Sequence, residues 1–281
     1  MMEIIALPTL RKPILIAAFE GWNDAGNAAT AAVEHLIEVW EAEEIAFFDP
    51  EDYYDFQVNR PIVQVTEESG REIEWPTTTI SVATPAHLDR DFVIVRGIEP
   101  SMRWRTFCEE LIGIIDDLEV ELVVTLGALI AEVPHTRPIH VIGSGSDSAT
   151  SLRFGLQPSR YEGPTGIVGV LQNSCLAAGV DAFSLWAQVP HYVSQPPCPK
   201  ASLALVNRLD DLLGIRIPIE DLQEEALAWE VGVNQLSLED SDVAQYVQGL
   251  EEQQDATELP EASGDAIARE FERYLRRREE S

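Results

Sequence analysis

The chain has 281 residues, 45% of them apolar, with 9 Phe, 6 Trp and 6 Tyr, so a sizeable packed core is expected and disorder is excluded for most of it. Its 49 acidic residues against 19 Lys and Arg leave a net charge of -30, which repels phosphate backbones and anionic lipid heads and excludes nucleic acid and membrane surfaces as expected partners. No segment offers the roughly 18 uncharged apolar residues of a membrane span, and MMEIIALPTLRKP lacks the order of a secretion signal, so a cytoplasmic protein is expected.

The first organised stretch is PILIAAFEGWNDAGNAATAAVEHLIEVW, residues 13–40. It reads as a buried strand (14–19), a tight turn through Gly21, Trp22 and Asn23, and an Ala-rich helix. EIAFF (44–48) predicts a second strand, and DPEDYYDFQVNRP a long polar connection. Alternation between residues 62 and 84, broken around Glu68, Ser69 and Gly70, predicts a hairpin that extends or caps the sheet. FVIVR (92–96) is a short buried strand, and the helix after it opens at Pro100 and Ser101 with Trp104, Phe107, Leu111, Ile114 and Ile115 on one face. LVVTL (122–126), IHVIGSGSD and AFSLWAQV (182–189) supply further strands, with a helix in YEGPTGIVGVLQNSCLAAGV between the last two. KASLALVNRLDDLLG then reads as a helix stopped by Gly214.

Strand and helix alternate five or six times, which predicts a three-layer α/β/α domain over residues 1–218 with a mostly parallel sheet. Residues 219–281 form an acidic helical C-terminal appendage: residues 220–281 hold 18 acidic and five basic side chains and no strand-like run. Helices are expected at 222–231 and 241–253, with a loop around Pro260 and a last amphipathic helix carrying Ile267, Phe271, Tyr274 and Leu275 on one side.

Chemistry is sparser than fold. In Gly21-Trp22-Asn23-Asp24-Ala25-Gly26, Asn23 or Asp24 suits a helix cap, with Gly21 and Gly26 bending the chain; an anion at the same helix end would meet the charge of Asp24. Pro134-His135-Thr136-Arg137-Pro138 follows a strand at the sheet edge where ligands bind in α/β proteins, and His135 and Arg137 suit a phosphate or carboxylate. The same residues also suit a role in ordering a loop through carbonyls and carboxylates. Pro190-His191-Tyr192 repeats the pattern after another strand, which makes His135, Arg137, His191 and Tyr192 a candidate rim pocket without a paired nucleophile. Gly143-Ser144-Gly145-Ser146-Asp147 lacks the lysine of a phosphate-binding loop and reads as a turn. Cys108 and Cys175 read as buried apolar residues and Cys198 as a loop residue, and no metal spacing or cofactor signature is present, so no cofactor is expected.

Taken together, FEGWNDAGNAAT, VRGIEPSMRW, LGALIAEVPHTRP, YEGPTGIVGVL and VPHYV, in this order and spacing, resemble the proteasome assembly chaperone 2 family in its long form typical of actinobacteria, over residues 10–275. The resemblance implies an α/β/α fold similar to the nucleoside phosphorylase and peptide hydrolase type. It also implies self-association, as a dimer or trimer, or pairing with a related subunit, and, in eukaryotic relatives, chaperoning of proteasome α-ring assembly. The family brings no established catalytic residues. Chaperones of this type often end in a hydrophobic-Tyr-any-residue tail. This chain ends Arg277-Arg278-Glu279-Glu280-Ser281 with Tyr274 seven residues from the end, so docking through such a tail is not expected. The reading is therefore a non-enzymatic, homo-oligomeric assembly protein with proteasome subunits as candidate partners. The alternative is a phosphate or nucleoside binder, or a hydrolase-like or phosphorylase-like enzyme, at the His135 rim.

Overall fold

The computed structural model describes residues 1–66, 70–159 and 161–258. In chain order the strands are β1 (Met2–Ile4), β2 (Ile14–Glu20), β3 (Glu43–Phe48), β4 (Ile62–Thr66), β5 (Gly70–Glu74), β6 (Thr78–Ala83), β7 (Phe92–Ile98), β8 (Leu122–Ala131), β9 (Val141–Gly145), β10 (Gln157–Pro158) and β11 (Ala182–Pro190). The helices are α1 (Ala28–Val39), α2 (Pro50–Tyr53), α3 (Trp104–Asp117), α4 (Ser148–Phe154), α5 (Ile167–Ala178), α6 (Pro199–Leu213), α7 (Glu220–Glu239) and α8 (Ser241–Glu258).

Nine strands form one sheet in the order β1-β3-β6-β7-β2-β8-β11-β9-β10. Its centre, β7-β2-β8-β11, is parallel. These strands are buried on both faces, which is why they read as unbroken apolar runs. Outside this centre the sheet, expected to be mostly parallel, is mixed: β1, β3 and β6 join antiparallel on one side, and on the other β9 joins β11 antiparallel with the short β10 parallel to β9. Of these antiparallel pairs only β6–β7 joins strands consecutive in the chain, through residues 84–91, where the reversal needs no crossover helix. The expected hairpin forms at β4 and β5 but does not extend the sheet; it stands apart as a two-stranded sheet of its own.

Two cores sandwich the sheet. Against one face lie α1 and α6, where Leu36, Phe92, Leu126, Leu185 and Leu205 pack together and Trp40 stacks on Phe92 at 4.2 Å. Against the other lie α3 and α5, with Phe19, Phe48, Phe107 and Leu171. The expected polar connection after β3 contributes to this second core: Tyr53 is fully buried, 5.4 Å from the rings of both Phe48 and Phe107. Burying a side chain of this size stabilises the fold by about 2 kcal/mol, enough to fold a segment whose average composition is polar. Helix α3 starts at Trp104, later than Pro100, because Arg103 takes a left-handed conformation at φ 58°.

Helices α7 and α8 are longer than the predicted 222–231 and 241–253 and double back on each other across Asp240. α7 packs on α6 through Leu222, Ala226 and Val233, so the polar helices are seated on the α/β body over 220–258. The predicted last helix, with Ile267, Phe271, Tyr274 and Leu275, lies outside the described residues, as do the terminal residues Arg277–Ser281. No helix among the described residues is long and apolar enough to cross a membrane.

Candidate functional site

The helices that follow the parallel strands leave to opposite faces: α1 after β2 lies with α6, whereas α3 after β7 lies with α5. Such a reversal opens a crevice at the carboxyl ends of neighbouring strands, where α/β proteins place their sites. Here the Gly21–Gly26 turn fills it. Gly21, at φ 116°, turns the chain out of β2. Asn23 is 1% exposed: its backbone carbonyl accepts from Ala128 N at 2.8 Å, and its Nδ2 donates to Glu99 Oε1 at 2.6 Å. The same carboxylate oxygen accepts from Ile167 N at 2.8 Å, so Glu99 joins the turn to the start of α5. Gly166 permits this because a side chain there would overlap the Asn23 amide. Asp24 accepts from Ala29 N at 2.6 Å, from Thr30 N at 3.1 Å and from the Thr30 hydroxyl, and so caps α1 from three residues ahead of its cap position. Burial raises the Asp24 pKa against the pull of these hydrogen bonds. Gly26, at φ 64°, lies against Cys198 and accepts from Cys198 N at 2.9 Å, which docks the start of α6. The turn joins four elements and presents no free acid or base.

The second cluster lies on the same rim, past the ends of β8 and β11. His135, Arg137, His191 and Tyr192 do gather here, but α7 and α8 meet their polar groups. His135 is fully buried. Its backbone N–H donates to Tyr192 Oη at 2.7 Å, its Nδ1 lies 2.7 Å from the same hydroxyl, and its Nε2 lies 3.1 Å from Asn234 Oδ1. A neutral ring satisfies all three, with the Tyr192 hydroxyl donating to Nδ1 and Nε2–H donating to Asn234. Burial lowers the His135 pKa in agreement with that tautomer and pushes the Tyr192 phenol up to about 12. Arg137 grips Asp255 through Nε and Nη2, both at 2.8 Å, and reaches Glu251 from Nη1 at 3.3 Å. Its guanidinium lowers the Asp255 pKa by hydrogen bonding. Thr136 donates to Glu251, and Lys200 Nζ joins the His135 carbonyl at 2.5 Å to Glu230 at 2.7 Å. His191 meets Tyr192 and Tyr246 edge to face at 5.4 and 5.5 Å.

This arrangement is a fastening between the sheet rim and the two acidic helices, and it matches the loop-ordering reading of His135 and Arg137. Sequence reasoning missed Asn234, Glu251 and Asp255, which lie 99 to 118 residues from their partners. The excess of carboxylates in this chain was the one available signal. Elsewhere, Asp147 of the glycine-rich stretch accepts from Thr150 N at 2.7 Å and caps α4, a turn role. All three cysteines are free and buried, with thiols pushed up by burial to about 11 for Cys108 and Cys198 and about 12 for Cys175, so none is poised as a thiolate.

Two shallow depressions lie on the surface. One of about 470 Å³ is lined by Gly21, Asn59, Glu99, Met102 and Trp104, and another of about 420 Å³ by Glu34, Glu38, Ser81 and Arg96. More distinctive is the β4–β5 sheet. Val63 and Ile73 pair directly across it and are 46% and 50% exposed, and Val65, on the same face, is 81% exposed.

A mixed α/β/α sandwich whose sheet rim is closed by its own C-terminal helices defines a class of protein, and the comparisons identify it. The model of the PAC2 family matches residues 18–237, and the chain belongs to that family. It is similar to a PAC2 family protein from Streptomyces avermitilis at 58% identity and a TM-score of 0.79, covering 84% of this chain and 99% of that one. A Mycobacterium tuberculosis protein described as a proteasome-assembly chaperone homologue is 51% identical, with a TM-score of 0.76 and coverage of 83% and 99%. A Corynebacterium glutamicum protein of unknown function is 26% identical, with a TM-score of 0.81 and coverage of 92% and 98%. No curated protein matches the chain.

Proposed function

We propose that this chain is a non-enzymatic, assembly-chaperone-like protein of the cytoplasm that self-associates as a dimer or trimer and binds a proteasome subunit through its β4–β5 hairpin. The observation that carries the reading is the apolar face of Val63, Val65 and Ile73, held in the open on a sheet of two strands. Such a sheet is marginal alone in water, and an exposed apolar face suits burial against another protein. The tilted contact of Trp75 with Phe56 at 4.9 Å anchors its base to the body.

The choice of partner is supported by the relative at 51% identity described as a proteasome-assembly chaperone homologue. Charge narrows it further: a chain at -30 associates best with a surface rich in Lys and Arg. The rim residues His135, Arg137, His191 and Tyr192 act in this reading as the fastening that holds α7 and α8 in place.

The test is native mass spectrometry and gel filtration of the full chain with purified proteasome α and β subunits from the same organism. Co-elution with one subunit type is expected, and Val65→Asp should weaken it at least tenfold while leaving the melting temperature unchanged. Absence of any complex at low salt overturns the assignment; binding that Val65→Asp leaves intact removes the hairpin from it. The same spectra of the chain alone read the dimer or trimer directly.

A further inference from the structure

A single residue separates α7 from α8. α7 ends at Glu239, α8 begins at Ser241, and only Asp240, at φ -121° and ψ 111°, lies outside both helices. Antiparallel helices are commonly joined by about two to five residues, so this reversal is tight. Residues 233–248 contain neither Gly nor Pro, and the sequence across the junction carries no signal that ends a helix. The reversal is held by Asp240 itself, whose Oδ1 accepts from Asp242 N at 2.9 Å and Val243 N at 3.4 Å and so caps α8. If Asp240 turns helical, residues 220–258 become one rod about 58 Å long, at 1.5 Å per residue, and α8 leaves the rim.

What α8 leaves behind is a complete receptor for it. Thr136 donates to Glu251, Arg137 grips Asp255 through Nε and Nη2 at 2.8 Å, and His191 and Tyr192 meet Tyr246 edge to face at 5.5 and 6.2 Å. Beside these contacts Val247 and Leu250 are buried. The four rim residues belong neither to α7 nor to the junction, so the α8 of a second copy satisfies them as well as the chain's own. A second copy is also the occupant that carries this set in register, with Tyr246, Glu251 and Asp255 on one helix. The folded-back form leaves apolar surface in water next to the junction: Val231 and Leu238 are 57% and 78% exposed and, at 100° per residue, lie within about 20° of each other on α7. When two copies exchange α8 their rods cross near Asp240, where these side chains meet their counterparts. Exchange of an identical element is a low-cost route to association, and short connections under strain invite it.

We propose that the chain self-associates by exchanging α8: α7 and α8 run on as one helix, and each α8 fastens to the rim of the next copy through Thr136, Arg137, His191 and Tyr192. A closed dimer or a cyclic trimer refills every rim. The proposal rests on the self-association reading above and adds the element that the copies exchange.

The test uses the full chain with Thr136→Cys and Glu251→Cys, a pair in direct contact, the native cysteines being buried. Gel filtration with light scattering in about 0.3 M sodium chloride, which screens the repulsion between chains at -30, reads the oligomer. After mild oxidation a non-reducing denaturing gel should show chains joined in twos or threes. An oligomer whose oxidised chains still run singly overturns the exchange and leaves self-association standing; a chain that elutes as a monomer at every concentration overturns both. The junction gives an independent reading with the rim unchanged. Asp240→Ala removes the cap and favours the continuous helix, so it should lower the dissociation constant of the oligomer at least tenfold. Gly-Ser-Gly-Ser inserted after Asp240 relaxes the reversal and should raise it at least tenfold. Equal dissociation constants for the three chains overturn the exchange.

Discussion

A methyl group added at Gly166 would stand 2.2 Å from Oδ1, 2.6 Å from Nδ2 and 2.7 Å from Cγ of Asn23. Carbon contacts with other heavy atoms are comfortable from about 3.5 Å, so the Asn23 amide must shift by roughly 1 Å. It has no room, being 1% exposed and tied to Glu99 at 2.6 Å. Gly166 has φ -101°, which alanine adopts freely, so the whole cost comes from this contact. Overpacking costs about 1–3 kcal/mol, and a hydrogen bond to a carboxylate contributes about 1.5–3 kcal/mol. The two overlap, because moving the amide relieves one by sacrificing the other, and Gly166→Ala should cost about 2–4 kcal/mol. Asn23→Ala loses the same bond but empties the space, so Gly166→Ala added to it should cost less than about 1 kcal/mol. Urea denaturation followed by tryptophan fluorescence, with midpoints compared at constant m, reads the cycle. A Gly166→Ala chain within about 0.5 kcal/mol of the original, or two costs that simply add, would refute the interlock between the turn, Glu99 and α5.

Asp24→Ala leaves the amides of Ala29 and Thr30 without their acceptor and should cost about 2–4 kcal/mol by the same denaturation assay. For His135 the folded state lowers the pKa, so below the ordinary value of 6.5 the unfolded chain takes up a proton first. Its contribution is therefore complete above about pH 6.5 and declines as the pH falls through it, with a slope of at most about 1.4 kcal/mol per pH unit. The difference between the original chain and His135→Gln, measured from pH 5 to 8, should show that decline. Inorganic phosphate should raise the melting temperature no more than sodium chloride of equal ionic strength, because Arg137 is already paired with Asp255 and Glu251. A specific rise that Arg137→Ala abolishes would restore the rim as an anion site.

The parts of this fold that could be read in the sequence are those whose environment is uniform along the chain. β2, β7, β8 and β11 are buried on both faces, and their unbroken apolar runs say so. The amphipathic face of α3 was visible for the converse reason, because one side of the helix meets water. Tyr53 and Tyr54 were hidden because Asp and Glu surround them, yet both rings are buried. Position in the sheet was hidden too: alternation shows that β4 and β5 pair, but not that they leave the main sheet. The candidate site divides in the same way. The cap of Asp24 is local, five and six residues from its partners, and was readable. Glu99 and Asn234 act 76 and 99 residues away from Asn23 and His135, and no spacing rule connects them.

The strand order also sets a timetable for synthesis. β8 is complete at Ala131, but β11, which pairs along its whole length, ends only at Pro190. At about 5–20 residues per second the ribosome needs roughly 3–12 s to add the intervening 59 residues. Throughout that interval Val123, Val124 and Leu126 border an unpaired edge in the middle of the future sheet. The nascent chain therefore carries an open edge on β8 while residues 132–190 are made, and slow translation of that stretch would prolong its exposure.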